Sequence, residues 1–418
     1  MIMERIYGYG MTTTSGGNLS VKDREGNIWI TPGSLDKGSL KADQMVCVKP
    51  DGTREGPLAP SSEFPFHQSV YTCRPDLHSV IHAHPPALAS FSITGRIPDT
   101  AILPQVRTVC GEIGFAPYAI PGSRELADII AAMFRKGHNA VIMENHSVVV
   151  GGNDILDAFR RFETLDFCAR IHIHARSLGE VNLLSEEDLK SEAGEFPGLP
   201  ELPEDLSPRD SGSGTDEAAV RETMCVLIRR AYDQMLFTST QGTFSARLSG
   251  DSFLITPYGL DRKYLEAEDL VFVAGGRKEK NKTPSRSVLL HKAVYERNKS
   301  INAVMIAHPP HVMAYSVTGK TFNTRVMPES YVFLKDVPLM PFGLRRRDYA
   351  QTAAVFDDHP AALIANDCII VTGNNLVGCF DRLEITEYIA HSLLWAEQLG
   401  SIRELPEKDL KVLRGFWK

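Results

Sequence analysis

No run in this chain approaches the roughly 18 consecutive apolar residues that a membrane-spanning helix needs. Met1 to Met11 lacks the apolar core of a secretory signal. An excess of positive charge is absent too. The 45 Lys and Arg are outnumbered by 52 Asp and Glu, giving a formal net charge of −7. Neither nucleic acid nor an anionic membrane surface is therefore expected as a partner. Cysteine is sparse. The seven residues are an odd count without a Cys-x-x-Cys pair, which argues against a disulfide framework and for a reducing, cytoplasmic setting. Cys47, Cys73, Cys110 and Cys168 stand in apolar company and read as core residues. With 418 residues the chain is roughly two to three times the usual domain size, enough for two full cores.

What the chain does have is a histidine pair at a strand end, in Ser79-Val80-Ile81-His82-Ala83-His84-Pro85-Pro86. Residues two apart on a strand share a face, so His82 and His84 project together, and the prolines end the ladder there. The triplet alone fits equally well two half-exposed histidines near a loop. Two further residues favour a metal. Glu63 lies in Pro60-Ser61-Ser62-Glu63, and His146 lies in Glu144-Asn145-His146-Ser147, where two apolar strands meet at a polar corner. Three neutral imidazoles and one carboxylate make a ligand set suited to zinc. For the site to stay open, Glu63 would be a ligand at rest that releases and becomes the base.

These segments stand in a definite order: Gly17-Asn18-Leu19-Ser20, Ile30-Thr31-Pro32-Gly33-Ser34, Pro60-Ser61-Ser62-Glu63, His82-Ala83-His84 and Asn145-His146. Ala116-Pro117-Tyr118 and Gly122-Ser123-Arg124-Glu125-Leu126 fall between them. Over residues 10 to 180 the pattern resembles the class II aldolase/adducin family, and within it the zinc-dependent L-fuculose-phosphate aldolases.

The same motifs then recur. Phe237 to Ser245 echoes the Gly-Asn-Leu-Ser region, and Leu254-Ile255-Thr256-Pro257 echoes Trp29-Ile30-Thr31-Pro32. Pro284-Ser285-Arg286-Ser287 and His308-Pro309-Pro310 repeat the segments at Pro60 and His84, both displaced by 224 positions (60 to 284, 84 to 308). A constant offset means an ungapped duplication over that interval. In the second copy Glu63 becomes Ser287, His82 becomes Ile306, and His146 becomes Asp367, leaving His308 as the surviving imidazole. Thr243 stands for Asn18 and Arg286 for Ser62, and Arg286 retains the means to pair with an anion. A metal-free second copy is expected, with one zinc per chain in the first domain.

The expected organisation is a catalytic domain over residues 1–184, a Pro/Gly/Ser/Glu-rich linker over 185–215, and a degenerate second domain over 216–418. Pro197-Gly198-Leu199-Pro200, Pro203, Pro208 and Gly212-Ser213-Gly214 punctuate the linker. Ser123 is placed to cap a helix through Phe134 that ends at Gly137, and a second helix is expected from Asn153 to Leu178. Short strands are expected after the Thr-Pro and His-x-His motifs. The fold class is α/β: two tandem three-layer α/β/α domains, each with a central, mostly antiparallel sheet, as the resemblance also implies. His172 and His174 repeat the His-x-His spacing inside the second helix, where they point roughly 200° apart and cannot share a metal. His67 and His138 lack a second ligand at chelating spacing and are assigned structural roles, with a place near the site left open for His67.

The resemblance implies a mechanism. Zinc on His82, His84 and His146 would stabilise the charge of an enediolate, with Glu63 shuttling the proton as general acid/base. Gly17, Asn18, Gly33, Ser34, Ser61 and Ser62 would hold the phosphate of a ketose phosphate, small residues letting backbone N–H groups approach the anion. A carbon–carbon bond is then cleaved or formed. This chain departs from the family in having Gly33-Ser34 for Thr-Gly, and no tyrosine over Leu103 to Arg107, where the aldolases carry one. The family also contains sugar-phosphate dehydratases, decarboxylases and epimerases, the last tending to carry Asp at the Glu63 position. Adducin-like members that lack the ligands serve as interaction modules. The resemblance further implies an active site at a subunit boundary. A homodimer with a pseudo-fourfold arrangement of domains is expected, with Tyr331, the counterpart of Arg107, offered across the boundary.

Overall fold

The computed structural model describes residues 1–192, 198–203 and 217–416. It divides into two units, Met1–Ile173 and His174–Lys418. In the first unit eight strands form one sheet. They are β1 (Asn18–Lys22), β2 (Ile28–Ile30), β3 (Val46–Val48), β4 (Arg54–Glu55), β5 (Ser79–Ala83), β6 (Gly114–Ala116), β7 (Ala140–Met143) and β8 (Ser147–Gly152). Their order is β4-β3-β2-β1-β5-β8-β7-β6. All neighbours are antiparallel except β6 and β7. Strands run into the Thr-Pro and His-x-His motifs rather than following them. β2 stops at Ile30 and β5 at Ala83, because each proline withdraws the N–H that would extend the ladder.

β8 is buried at every residue. A strand wet on neither face implies cover on both sides of the sheet. On one face Val80, Val141, Met143 and Val149 pack with Phe66, Val70 and Tyr71 of the helix Phe64–Cys73 and with Leu126, Ile130 and Phe134 of the helix Arg124–Arg135. Ser123 caps the latter helix, accepting from Leu126 N–H at 3.1 Å, a contact worth about 1 kcal/mol. Gly137 follows its end at φ +98°. The long helix spans Ile155–Ala175, so His172 and His174 do lie on one helix. His172 Nε2 bonds the carbonyl of Asp99 at 2.9 Å instead of a metal. A Cβ on Gly152 would come within 2.3 Å of the Ala158 backbone, so glycine alone allows strand and helix this approach.

The second unit repeats the plan. Its strands are β9 (Thr243–Arg247), β10 (Phe253–Ile255), β11 (Val271–Ala274), β12 (Arg277–Lys278), β13 (Ala303–Ala307), β14 (Leu339–Met340), β15 (Ala361–Ile364) and β16 (Cys368–Gly373). The order β12-β11-β10-β9-β13-β16-β15-β14 corresponds strand for strand, and the parallel pair, β14 with β15, falls at the same edge. The stretch assigned as linker is not structureless where it is described. Glu186–Glu192 is helical, and Leu202 N–H donates to Lys278 O while Lys278 N–H donates to Pro200 O, laying this segment beside β12. Leu199 packs on the second unit's core. The calls at Pro208 and Gly212-Ser213-Gly214 lie outside the described residues.

Candidate metal centre of the first unit

β5 delivers the histidines. Val80 on that strand faces the helix Phe64–Cys73, so His82 and His84, at the same parity, face the same way. Glu63 is the N-cap residue of that helix. His146 follows Asn145, whose left-handed φ of +51° turns β7 back into β8. The three elements bring three imidazoles and one carboxylate together. Ring centroids of His82 lie 4.6 Å from His84 and 4.7 Å from His146. One nitrogen from each ring lies within 4.8 Å of the other two, and among the described residues this is the cluster of such groups able to hold a metal ion. Glu63 Oε2 is 3.3 Å from His82 Nε2, and Oε1 is 3.3 Å from His146 Nε2.

Hydrogen bonds fix which atoms face the centre. His82 Nδ1 donates to the Val148 carbonyl at 2.8 Å, which leaves the Nε2 lone pair free. That Nε2 and Glu63 Oε1 are buried with no hydrogen-bond partner. Buried polar atoms are normally paired, so these two converging, unpartnered atoms are suited to contact a cation. Burial lowers all three imidazoles below the ordinary histidine range, His82 to about 3 and His146 to about 4. Neighbouring rings add to burial for both, and Glu63 partly opposes it at His84 and His146. Neutral imidazole is the form a metal takes, and the donor set fits a divalent ion such as zinc.

The loops assigned to phosphate surround this centre unevenly. Gly17 has φ +71°, and a Cβ there would meet His82 O at 2.8 Å, so the loop lies against the ligand strand. Asn18 is buried and its Nδ2 donates to Glu63 Oε2 at 2.7 Å. Ser61 N–H donates to Thr31 O, and Gly33 N–H to Ala59 O, lacing the two loops together. Ser61 is buried, with Oγ accepting from Glu63 N–H at 3.3 Å, whereas Ser62 and Ser34 are exposed. Leu103 is buried and apolar. Tyr331 is buried within the second unit, and its hydroxyl accepts from Arg414 Nε at 2.8 Å.

Sequence reasoning missed the partners of Asn18. His67, assigned a structural role, bonds Asn18 Oδ1 through Nε2 at 2.5 Å and Ser20 Oγ through Nδ1 at 2.7 Å. Tyr71 completes the group at 2.7 Å from Ser20 Oγ. A signal was present in the repeat, because Ser245, His291 and Tyr295 reappear at the matching positions.

In the second unit the corresponding place carries a different solution. Ile306, at the His82 position, is 4% exposed and belongs to the apolar core. Asp367, at the His146 position, is held by Arg345 through two bonds, Nε to Oδ2 and Nη2 to Oδ1, the latter at 2.8 Å. A guanidinium thus supplies the positive charge opposite this carboxylate.

The profile of the family described as Class II Aldolase and Adducin N-terminal domain matches residues 1–173 and again 222–394. The chain belongs to the class II aldolase/adducin family, as two tandem copies. It is 33% identical over 200 residues to the 5-deoxy-D-ribulose 1-phosphate aldolase of Bacillus thuringiensis, a match covering 47% of this chain and 92% of that protein. It is 32% identical over 190 residues to an L-fuculose phosphate aldolase of Haemophilus influenzae, covering 45% and 86%. The 3-oxo-tetronate 4-phosphate decarboxylase of the same organism is 31% identical, covering 44% and 89%. A solved L-fuculose 1-phosphate aldolase aligns with TM-score 0.43 and 31% identity over 46% of this chain and 90% of that one. Among the described residues no helix is long and apolar enough to cross a membrane.

Proposed function

We propose that the first unit is a metal-dependent lyase that cleaves or forms a carbon–carbon bond in a sugar phosphate. The observation that carries this reading is the convergence of His82, His84, His146 and Glu63 with two buried, unpartnered ligand atoms. The family membership and the named activities of the relatives support it. His82, His84 and His146 would hold the ion, zinc in this proposal, with Glu63 as the fourth ligand at rest. Such an ion supplies Lewis acidity beside the substrate's ketone oxygen, where negative charge develops.

The remaining chemistry belongs to the chain. In bond formation Glu63 removes the proton from the carbon next to that ketone, giving an enediolate, and in cleavage it returns a proton to that carbon of the enediolate left by the broken bond. Asn18 holds Oε2 of Glu63, so Oε1 is the oxygen left for proton transfer. Of the residues assigned to the phosphate, Gly17 and Ser34 are proposed to offer backbone N–H groups, and Ser61 and Ser62 their hydroxyls. Gly33 is proposed to leave room for the anion while its N–H donates to Ala59 O, and Asn18 to serve Glu63 instead. The second unit is proposed to bind no metal, because Ile306 offers no donor and Asp367 is already paired with Arg345. A homodimer in the cytoplasm remains the proposed state of the chain.

One observation favours a second reading. The aldolases of the family carry a tyrosine in the region matching Leu103 to Arg107, where this chain has none. Loss of carbon dioxide from a 3-oxo acid phosphate reaches an enediolate without an acid for an aldehyde oxygen, and one relative is named for such a reaction. The test is a screen of the zinc-loaded chain against ketose phosphates and 3-oxo acid phosphates. Zinc-dependent aldehyde release supports the lyase, carbon dioxide release selects the decarboxylase, and neither product contradicts both.

A further inference from the structure

We propose that His67 is a positioning residue of the first unit's site, locking the Asn18 carboxamide so that its N–H faces Glu63. This inference rests on the reading of Glu63 as the proton-transfer group. His67 is wholly buried and lies four residues after Glu63, at helix spacing, so the two point from one face of the helix Phe64–Cys73.

The hydrogen bonds admit one consistent assignment. Asn18 Nδ2 donates to the Glu63 carboxylate, which can only accept. Oδ1 of Asn18 therefore faces His67 Nε2, and that nitrogen must carry the proton. Nδ1 of His67 is then the acceptor and takes the Ser20 hydroxyl proton. Tyr71 donates to the Ser20 carbonyl at 3.0 Å and holds the far end. The chain Ser20, His67, Asn18, Glu63 fixes one carboxylate oxygen and leaves the other unbonded beside His146.

The duplicated unit separates the structural half of this arrangement from the functional half. There Ser245 Oγ bonds His291 Nδ1 at 2.7 Å and Tyr295 Oη at 2.6 Å, so the Ser–His–Tyr staple survives intact. Thr243 replaces Asn18 and Ser287 replaces Glu63, and His291 Nε2 is buried without a partner. Thr243 Oγ1 turns to Ser285 Oγ at 2.6 Å instead. The Nδ1 side of the ring is thus common to both units, while the Nε2 side is engaged only in the unit that keeps the carboxylate.

The experiment compares His67→Asn, which retains a polar group on the Ser20 side but withdraws the donor to Asn18, with His67→Gln, which extends an N–H toward Asn18. His291→Asn is the control for loss of the staple alone. All are made in the full chain and loaded with zinc. H67N is expected to lower kcat about 10–100-fold, the scale of a small misplacement of a reacting group, with KM and zinc content little changed. H67Q should recover most of that loss, and H291N should leave kcat unchanged at a similar cost in stability. In an Asn18→Ala background H67N should add no further loss of kcat. Apart from turnover, the Asn18 side-chain amide protons should exchange slowly in the wild type and in H67Q and rapidly in H67N. Equal kcat in H67N and H67Q, additive losses with Asn18→Ala, or unchanged amide exchange in H67N would each overturn the proposal. A wild type without lyase activity would refute the proposed function, while the amide exchange would still decide the role of His67.

Discussion

Replacing Glu63 with Gln keeps the volume of the side chain and removes its basicity. The structure fixes how the amide would sit. Asn18 Nδ2 lies 2.7 Å from Oε2 and can only donate, so the Gln oxygen takes that place and the new NH₂ faces His146. The fold should tolerate the change. A charge-assisted hydrogen bond becomes a neutral one, a difference of about 1 kcal/mol, and no atom is added to the core. Loss of a positioned general base costs about 10²–10⁴ in rate, or roughly 2.7–5.5 kcal/mol in barrier height. The chemical loss thus exceeds the structural one severalfold, so a fall in kcat with near-normal melting would be assigned to proton transfer. The assay is steady-state cleavage of the ketose phosphate found in the screen, together with solvent deuterium exchange into the ketone phosphate product incubated alone. Exchange and cleavage should fall together in E63Q. Near-normal turnover in a folded, zinc-loaded variant would refute the assignment, and another base would have to be sought.

Gly17→Ala should destabilise the first unit by about 1–3 kcal/mol and weaken zinc, because its Cβ would press on the His82 carbonyl at 2.8 Å from a backbone at φ +71°. Thermal melting with zinc titration checks this, and unchanged values would contradict it. Acid should destabilise the second unit through His291, which burial, and then Arg345, hold well below the ordinary range, at about 3. The unfolded state binds the extra proton, so the contribution is fully present above pH 6.5 and is lost as pH falls toward 3, with a slope of up to about 1.4 kcal/mol per pH unit. Urea unfolding from pH 7 to 4 should show a shallower acid dependence in His291→Asn than in the wild type, and an equal dependence would contradict the burial argument. Asp367→Ala should cost about 3 kcal/mol, the low end for a broken buried ion pair because Arg345 is part-exposed, read as a lowered urea midpoint.

The cluster of His82, His84 and His146 was legible because each residue sits in a motif whose local structure is decided locally. The prolines at 85 and 86 end β5 just past His82, and the left-handed Asn145 makes the corner that turns out His146. The Ser123 cap and the helix Arg124–Arg135 were legible for the same reason. His67 was not. Its partners Ser20 and Asn18 are more than forty residues away, and they meet it only because β1 pairs with β5 in the register that sets Asn18 opposite His82. No spacing rule within one segment carries that pairing. The segment around Leu199 to Leu202 was read as linker on its prolines, yet its backbone finds hydrogen-bond partners at Lys278, a docking that composition does not encode.

The most direct measurement is a zinc titration of the full chain by calorimetry and metal analysis, with His84→Ala and His308→Ala beside the wild type. The account predicts one zinc per chain in the wild type, none in H84A, and one in H308A. Two zincs per chain, or a loss of binding in H308A, would contradict a single metal centre confined to the first unit.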